Sequence, residues 1–160
     1  LSECPNDMLI VTAIAGEMAD QGRFESLLWE GVVRVPLWIG EGVAGSGRVN
    51  RPTGSFDVLE TVLTRLNAAD GLASTDQPVN LQAIYDQPSD APPRLIRISL
   101  EDCKAVRTPD FLFVRSQSEE FGEKTALYGK PHDVWNVHDL SREFPDVADD
   151  LLAKLQAEAH

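Results

Sequence analysis

Apolar positions along the chain cluster in four patterns. Met8 to Ile14 is a nearly continuous apolar run bounded by Pro5-Asn6-Asp7 and Gly16. A strand with one wet face alternates, so unbroken apolarity predicts a strand buried on both faces. Val32 to Ile39 is a second such run, and Pro36 within it offers no N–H to a ladder, which predicts an edge position. A glycine-rich turn, Gly40 to Gly47, follows. Ser55 is placed to cap a helix that begins at Phe56, with Asp57 in its first turn. Leu59, Val62, Leu63 and Leu66 recur at helical spacing on one face, and Gly71 is a natural stop. Strands followed by an amphipathic helix predict an α/β layer structure.

Residues 73–94 are rich in Ser, Thr, Asp, Asn, Gln and Pro, and read as a long connection with one short element at Leu81–Tyr85. Beyond it, Leu95–Leu100, Lys104–Thr108, Phe111–Arg115 and Ala126–Tyr128 are strand-like, with Thr108-Pro109-Asp110 as a turn. Short strands joined by brief turns predict an antiparallel meander. Pro145 suits the first position of a closing helix, Asp146, Asp149 and Asp150 suit its positive end, and Val147, Leu151, Leu152 and Leu155 form its apolar stripe. The chain therefore divides into an α/β part at 1–72, a linker at 73–93 and an antiparallel sheet with a terminal helix at 94–160.

Charge narrows the functional classes. Against 14 Lys and Arg stand 26 Asp and Glu among 160 residues, a net charge of −12. Phosphate backbones and anionic membrane surfaces are recognised by clustered cations, so no nucleic-acid partner is expected. No apolar run approaches the roughly 20 residues of a membrane-spanning helix. The apolar fraction of 42% is enough for a core. The sequence starts at Leu1 rather than Met, which reads as a piece of something longer or as a chain with a segment removed.

Candidate chemistry is sparse. Cys4 and Cys103 are read as two free thiols, with a disulfide open only if the fold brings them within bonding distance. His132, His138 and His160 lie in no zinc spacing. Asp133, Asp139 and Glu143 lie near His132 and His138, but a polar loop before a helix has the same composition. Asp146, Asp149 and Asp150 lack the alternating ligands of a calcium loop. Gly40, Gly42, Gly45 and Gly47 do not follow the dinucleotide order, and Gly45-Ser46-Gly47 lacks the spacing of a nucleophile elbow. Trp29, Trp38 and Trp135 could stack a sugar, but Trp38 in its apolar run reads as core and Trp135 as the anchor of a polar loop. Asn136 is expected to bond to backbone in that loop.

One family orders these features. The stretch Glu17–Ile39, centred on Trp29-Glu30-Gly31-Val32-Val33-Arg34-Val35-Pro36-Leu37, resembles the sulfatases of the alkaline-phosphatase superfamily, which carry a Tyr-Glu-x-x-x-Arg-Val-Pro-Leu type strand. Asp57-Val58-Leu59-Glu60-Thr61 is similar to the family's Asp-x-x-Pro-Thr helix, with Glu60 in place of Pro. Arg107-Thr108-Pro109 and Leu127-Tyr128-Gly129-Lys130-Pro131-His132-Asp133-Val134-Trp135-Asn136 resemble its C-terminal segments, in the form seen in planctomycete-type bacteria.

The resemblance implies the last third of a sulfatase fold: a remnant of the α/β core in 1–72, then the small antiparallel sheet and terminal helix. It implies export or a periplasmic setting. It also implies lost chemistry. The family uses a cysteine-derived formylglycine in Cys-x-Pro-x-Arg, which is absent, and calcium held in part by a Thr-Ser-Asp-His-Gly-Glu strand end. The matching residues are Thr12-Ala13-Ile14-Ala15-Gly16-Glu17, so Ile14 and Ala15 stand where oxygen donors belong. Glu25 stands where the family's sulfate-contacting Lys belongs. The expectation is a non-catalytic structural or binding module with no catalytic residue, no metal ligand and no cofactor, and with no substrate-binding residue assigned. The alternative is the C-terminal part of an active sulfuric-ester hydrolase whose catalytic half lies upstream of Leu1. The expected partner is that missing half or another subunit, and an apolar face or sheet edge should stand open to receive it.

Overall fold

The protein was analysed as a computed structural model, which describes residues 8–13, 16, 33–41, 47–49, 51–68, 78–86, 94–100, 102–118 and 122–157. The first strands, β1 (Met8–Thr12) and β2 (Leu37–Glu41), form an antiparallel pair in which Leu9 faces Gly40 and Val11 faces Trp38. Helices α1 (Ser55–Arg65) and α2 (Leu81–Asp86) follow. Then come β3 (Ile96–Leu100), β4 (Cys103–Arg107), β5 (Phe111–Ser118) and β6 (Gly122–Gly129), an antiparallel meander in sequence order, and α3 (Pro145–Gln156).

The core is built on the meander because its strands alternate. Val106, Phe113 and Leu127 sit side by side across β4, β5 and β6 and are fully buried against Leu151 and Leu155 of α3. At about 25 cal/mol per Å² of apolar area, each contributes roughly 1.5–3 kcal/mol. On the opposite face, Cys103, Ala105, Leu112 and Val114 pack with Ile98, Tyr128 and Val33. Val33, just upstream of β2, thus ties the front part of the chain to the meander. Cys103 is a buried free thiol, as read from the sequence, whereas Cys4 lies outside the described residues.

The meander, the turn at Thr108, the short element at Leu81 and the apolar stripe of α3 follow the sequence reading. The Thr108 turn is closed twice: Phe111 N–H donates to Thr108 Oγ1 (3.0 Å), and Thr108 N–H donates to the Phe111 carbonyl (2.8 Å).

The front part departs from it. β1 is not buried on both faces: Leu9 and Val11 are exposed, because the only strand paired with it among the described residues is β2 and no described element lies on that side. β2 starts after Pro36 instead of spanning it, so the proline precedes the ladder. Trp38 is not core, being 55% exposed.

The cap of α1 is Gly54, one residue earlier than Ser55, because the Asp57 carboxylate takes the Gly54 N–H (2.7 Å) and closes the turn from inside. Nor does Gly71 set the stop, since it lies outside the described residues and α1 has already ended. Asn67 at φ +53° ends it: its N–H donates to the Thr64 carbonyl (3.1 Å) and Ala68 N–H to the Leu63 carbonyl (2.8 Å). The expected apolar face of α1 is partly solvated, with Leu59 and Leu66 exposed, while its buried residues are Asp57 and Thr61.

Candidate functional site

Among the described residues two polar centres stand out, both on segments that carry the family resemblance. The first is Asp57 on α1, which is 0% exposed. Its Oδ2 accepts from Gly54 N–H, and its Oδ1 accepts from Val79 N–H (3.0 Å) and pairs with Arg94, which is 8% exposed. One turn on, the Thr61 hydroxyl donates to the Asp57 carbonyl (2.6 Å) and accepts from Leu81 N–H (2.9 Å). A carboxylate and a hydroxyl four residues apart on one helix face therefore hold the start of α2 and the entry to β3. Arg94 Nη1 is buried and makes no hydrogen bond. The sequence marked Asp57 as a first-turn acid, marked Asp57 and Thr61 as motif positions, and gave no signal for Arg94, whose partner is brought near by the fold alone.

The second centre follows β6. Lys130 is 5% exposed, and its ammonium donates to the Asp133 carbonyl and to Asn136 Oδ1 (2.5 Å). The Asp133 carboxylate takes Val137 N–H and His138 N–H, both at 3.0 Å. Asp139 Oδ1 takes Leu127 N–H (3.0 Å) and Ser141 N–H (2.9 Å), and Leu140 N–H donates to the Leu127 carbonyl (2.7 Å), so the loop seals the outer edge of β6.

Partial burial pushes the Asp139 carboxyl up, but these N–H donors and the Arg142 charge outweigh it and leave it below the ordinary aspartate value. Burial, then the Asp139 and Asp133 charges, raise the Tyr128 phenol.

This loop corrects one expectation and meets another. Trp135 is not its anchor: the indole is 62% exposed, and the anchoring falls to Lys130 and Asp133, whose charges find more hydrogen-bonding backbone inside the loop than an indole could. Asn136, at φ +53°, bonds to backbone as expected, its N–H donating to the Asp133 carbonyl (3.5 Å), and its Oδ1 also accepts from the Lys130 side chain.

The carboxylates and histidines of this loop do not converge on a common point. Asp133 and Asp139 hold backbone, His132 is exposed, and His138 and Glu143 stand 3.6 Å apart in solvent. Among the described residues no group of three His, Cys, Asp or Glu side chains is placed to hold a metal ion. Ile14, Ala15, Glu25, Trp29 and Glu30 lie outside the described residues. Among the described residues no helix is long and apolar enough to cross a membrane.

No family model matches the sequence, and no curated protein matches it. Solved structures do match. BT4656, solved in complex with its substrate D-glucosamine-2-N,6-O-disulfate, superposes with a TM-score of 0.64 at 16% identity, covering 93% of this chain and 33% of its own. BT33494S-sulf, from work on the metabolism of multiple glycosaminoglycans by Bacteroides thetaiotaomicron, superposes with a TM-score of 0.59 at 14% identity, covering 90% of this chain and 35% of its own. The likeness is one of fold. The chain spans about a third of the length of these sulfatase structures, and its meander and terminal helix fit the C-terminal part named by the motif order.

Proposed function

We propose that this chain is a sulfatase-like module that hydrolyses no sulfate ester as it stands and serves as a structural or binding unit. The observation that carries this reading is the composition of the chain just past β1. The strand ends at Thr12, and the next three side chains, Ala13, Ile14 and Ala15, carry no oxygen donor. Calcium requires oxygen ligands, so the donor set does not fit the ion the resembled family uses. Glu25 at the position of a sulfate-contacting cation would repel a sulfate ester. The polar residues of the described motifs, Asp57, Thr61, Lys130, Asp133 and Asn136, are engaged in holding backbone and one another. Turnover of p-nitrophenyl sulfate and calorimetric titration with calcium test the reading. Calcium-dependent turnover by this chain would overturn it.

A second reading is the C-terminal part of an active sulfuric-ester hydrolase. Its support is that the matched structures are about three times as long as the portion this chain covers. An upstream Cys-x-Pro-x-Arg or Ser-x-Pro-x-Arg with paired Asp ligands in the complete reading frame would favour it.

A further inference from the structure

We propose that the end of the meander left bare by α3 binds a hydroxylated organic acid, its carboxylate held between Lys104 of β4 and Arg115 of β5. This goes beyond the reading of the chain as a structural or binding unit, because it gives that unit a ligand site.

α3 packs on the row formed by Val106, Phe113 and Leu127. Strand side chains alternate, so the residues two positions further along share that face. They form the next row, which reads Ser99, Lys104, Arg115 and Thr125 across β3, β4, β5 and β6. Ser99, Lys104 and Thr125 are exposed and Arg115 is 28% exposed, so this row stands clear of the helix.

Like charges directly opposite on antiparallel strands destabilise the pair. Lys104 and Arg115 are opposed in this way, in a chain where acidic residues outnumber basic ones by 26 to 14. Glu123, two residues before Thr125 on β6, pairs with Arg115 at 2.8 Å. Its strand is two away from β4, about 10 Å, so it leaves the Lys104 charge unanswered. Among the described residues Lys104 makes no ion pair or hydrogen bond, and neither do the hydroxyls of Ser99 and Thr125. Arg97, beside the row on β3, donates to the Lys154 carbonyl (3.4 Å) and adds a third cation to this face.

Neighbouring strands lie about 4.8 Å apart, a gap that one carboxylate spans by accepting from both cations. That contact replaces repulsion with two charge-assisted hydrogen bonds. Glu123 offsets one of the two positive charges, so a singly charged group fits better than a dianion. A sulfate monoester is also singly charged, but it spreads that charge over three oxygens and accepts more weakly. Ser99 and Thr125, one on each flank, offer hydrogen bonds to hydroxyl groups that extend from the carboxylate in either direction.

NMR titration of the 160-residue chain with sodium acetate, sodium gluconate and sodium methyl sulfate, at constant ionic strength, tests this. Acetate should give saturable amide shifts centred on Ser99, Lys104, Arg115 and Thr125, with a dissociation constant on the order of 10 mM, and gluconate should bind several-fold tighter. Lys104→Gln should weaken both by about tenfold, the loss of one charged hydrogen bond. Glu123→Gln releases the Arg115 guanidinium and should tighten both. Lys124→Gln removes a cation from the opposite face of β6 and should change neither. Shifts that grow linearly without saturation overturn the proposal. So does equal weakening by Lys104→Gln and Lys124→Gln, which would mean that the acid senses net charge and not this row. Methyl sulfate binding as tightly as gluconate overturns it as well.

Discussion

Asp57 on α1 and Arg94 at the entry to β3 form an ion pair withdrawn from water. Removing one partner of such a pair strands the other charge, which costs far more than the intact pair contributes. Arg94→Leu is therefore expected to lower unfolding stability by about 3–5 kcal/mol in urea titration. Asp57→Asn combined with Arg94→Leu should recover part of that loss, since no charge is left buried. A midpoint unchanged by Arg94→Leu would show that the pair does not hold the fold together.

Asn67 ends α1 in the left-handed region at φ +53°. Glycine adopts that conformation freely, whereas a β-branched residue is strained there. Asn67→Gly should keep the melting temperature or raise it slightly, and Asn67→Val should cost roughly 1–2 kcal/mol. Equal melting of the two variants would show that the helix end does not depend on this geometry.

Legibility of the fold from sequence differed between the two parts of the chain, for a physical reason. The meander and α3 bury side chains that alternate or recur at helical spacing, so Phe113, Leu127, Leu151 and Leu155 announced their faces. In α1 the buried positions are Asp57 and Thr61, which read as surface residues until Arg94, Val79 and Leu81 arrive from distant sequence to satisfy them. Unbroken apolarity in β1 signalled two faces meant for burial, and it could not say that one of them would stand open. In the loop after β6, Trp135 drew attention by size, while the buried member is Lys130, a residue type that composition places outside. The candidate site suffered the same limit. Sequence named the motif positions, but whether Asp57, Asp133 and Asp139 face a ligand or their own backbone depends on contacts that only the fold supplies.

Asp139 makes the edge of β6 sensitive to acid. Its folded carboxyl lies below its ordinary value, because N–H donors from Leu127 and Ser141, with the Arg142 charge, outweigh partial burial. A depressed carboxyl contributes stability above its unfolded value and loses it as pH falls through the folded one. The contribution is therefore present at neutral pH and fades below about pH 4. Asp139→Asn keeps the side-chain shape and removes the titration, so its stability should fall less steeply than the parent's across that acid limb. Parallel acid limbs in urea titrations at a series of pH values would exclude Asp139 as a source of the loss.

Lys130 and Trp135 offer a reversal of what residue size suggests. Trp135 is the largest side chain of its loop, yet it is 62% exposed, so truncation removes little buried area. Lys130 is 5% exposed and donates to Asn136 Oδ1 and the Asp133 carbonyl, two acceptors that face inward. Lys130→Met preserves the length of the stem and deletes the donors, leaving both acceptors without their charged partner. An unsatisfied buried acceptor costs roughly 1–3 kcal/mol. Trp135→Ala, a change at an exposed position, should cost less than about 1 kcal/mol. Lys130→Met is thus expected to melt well below the parent, and Trp135→Ala close to it. The opposite order would mean that the indole, and not the buried ammonium, keeps this loop on the end of the meander.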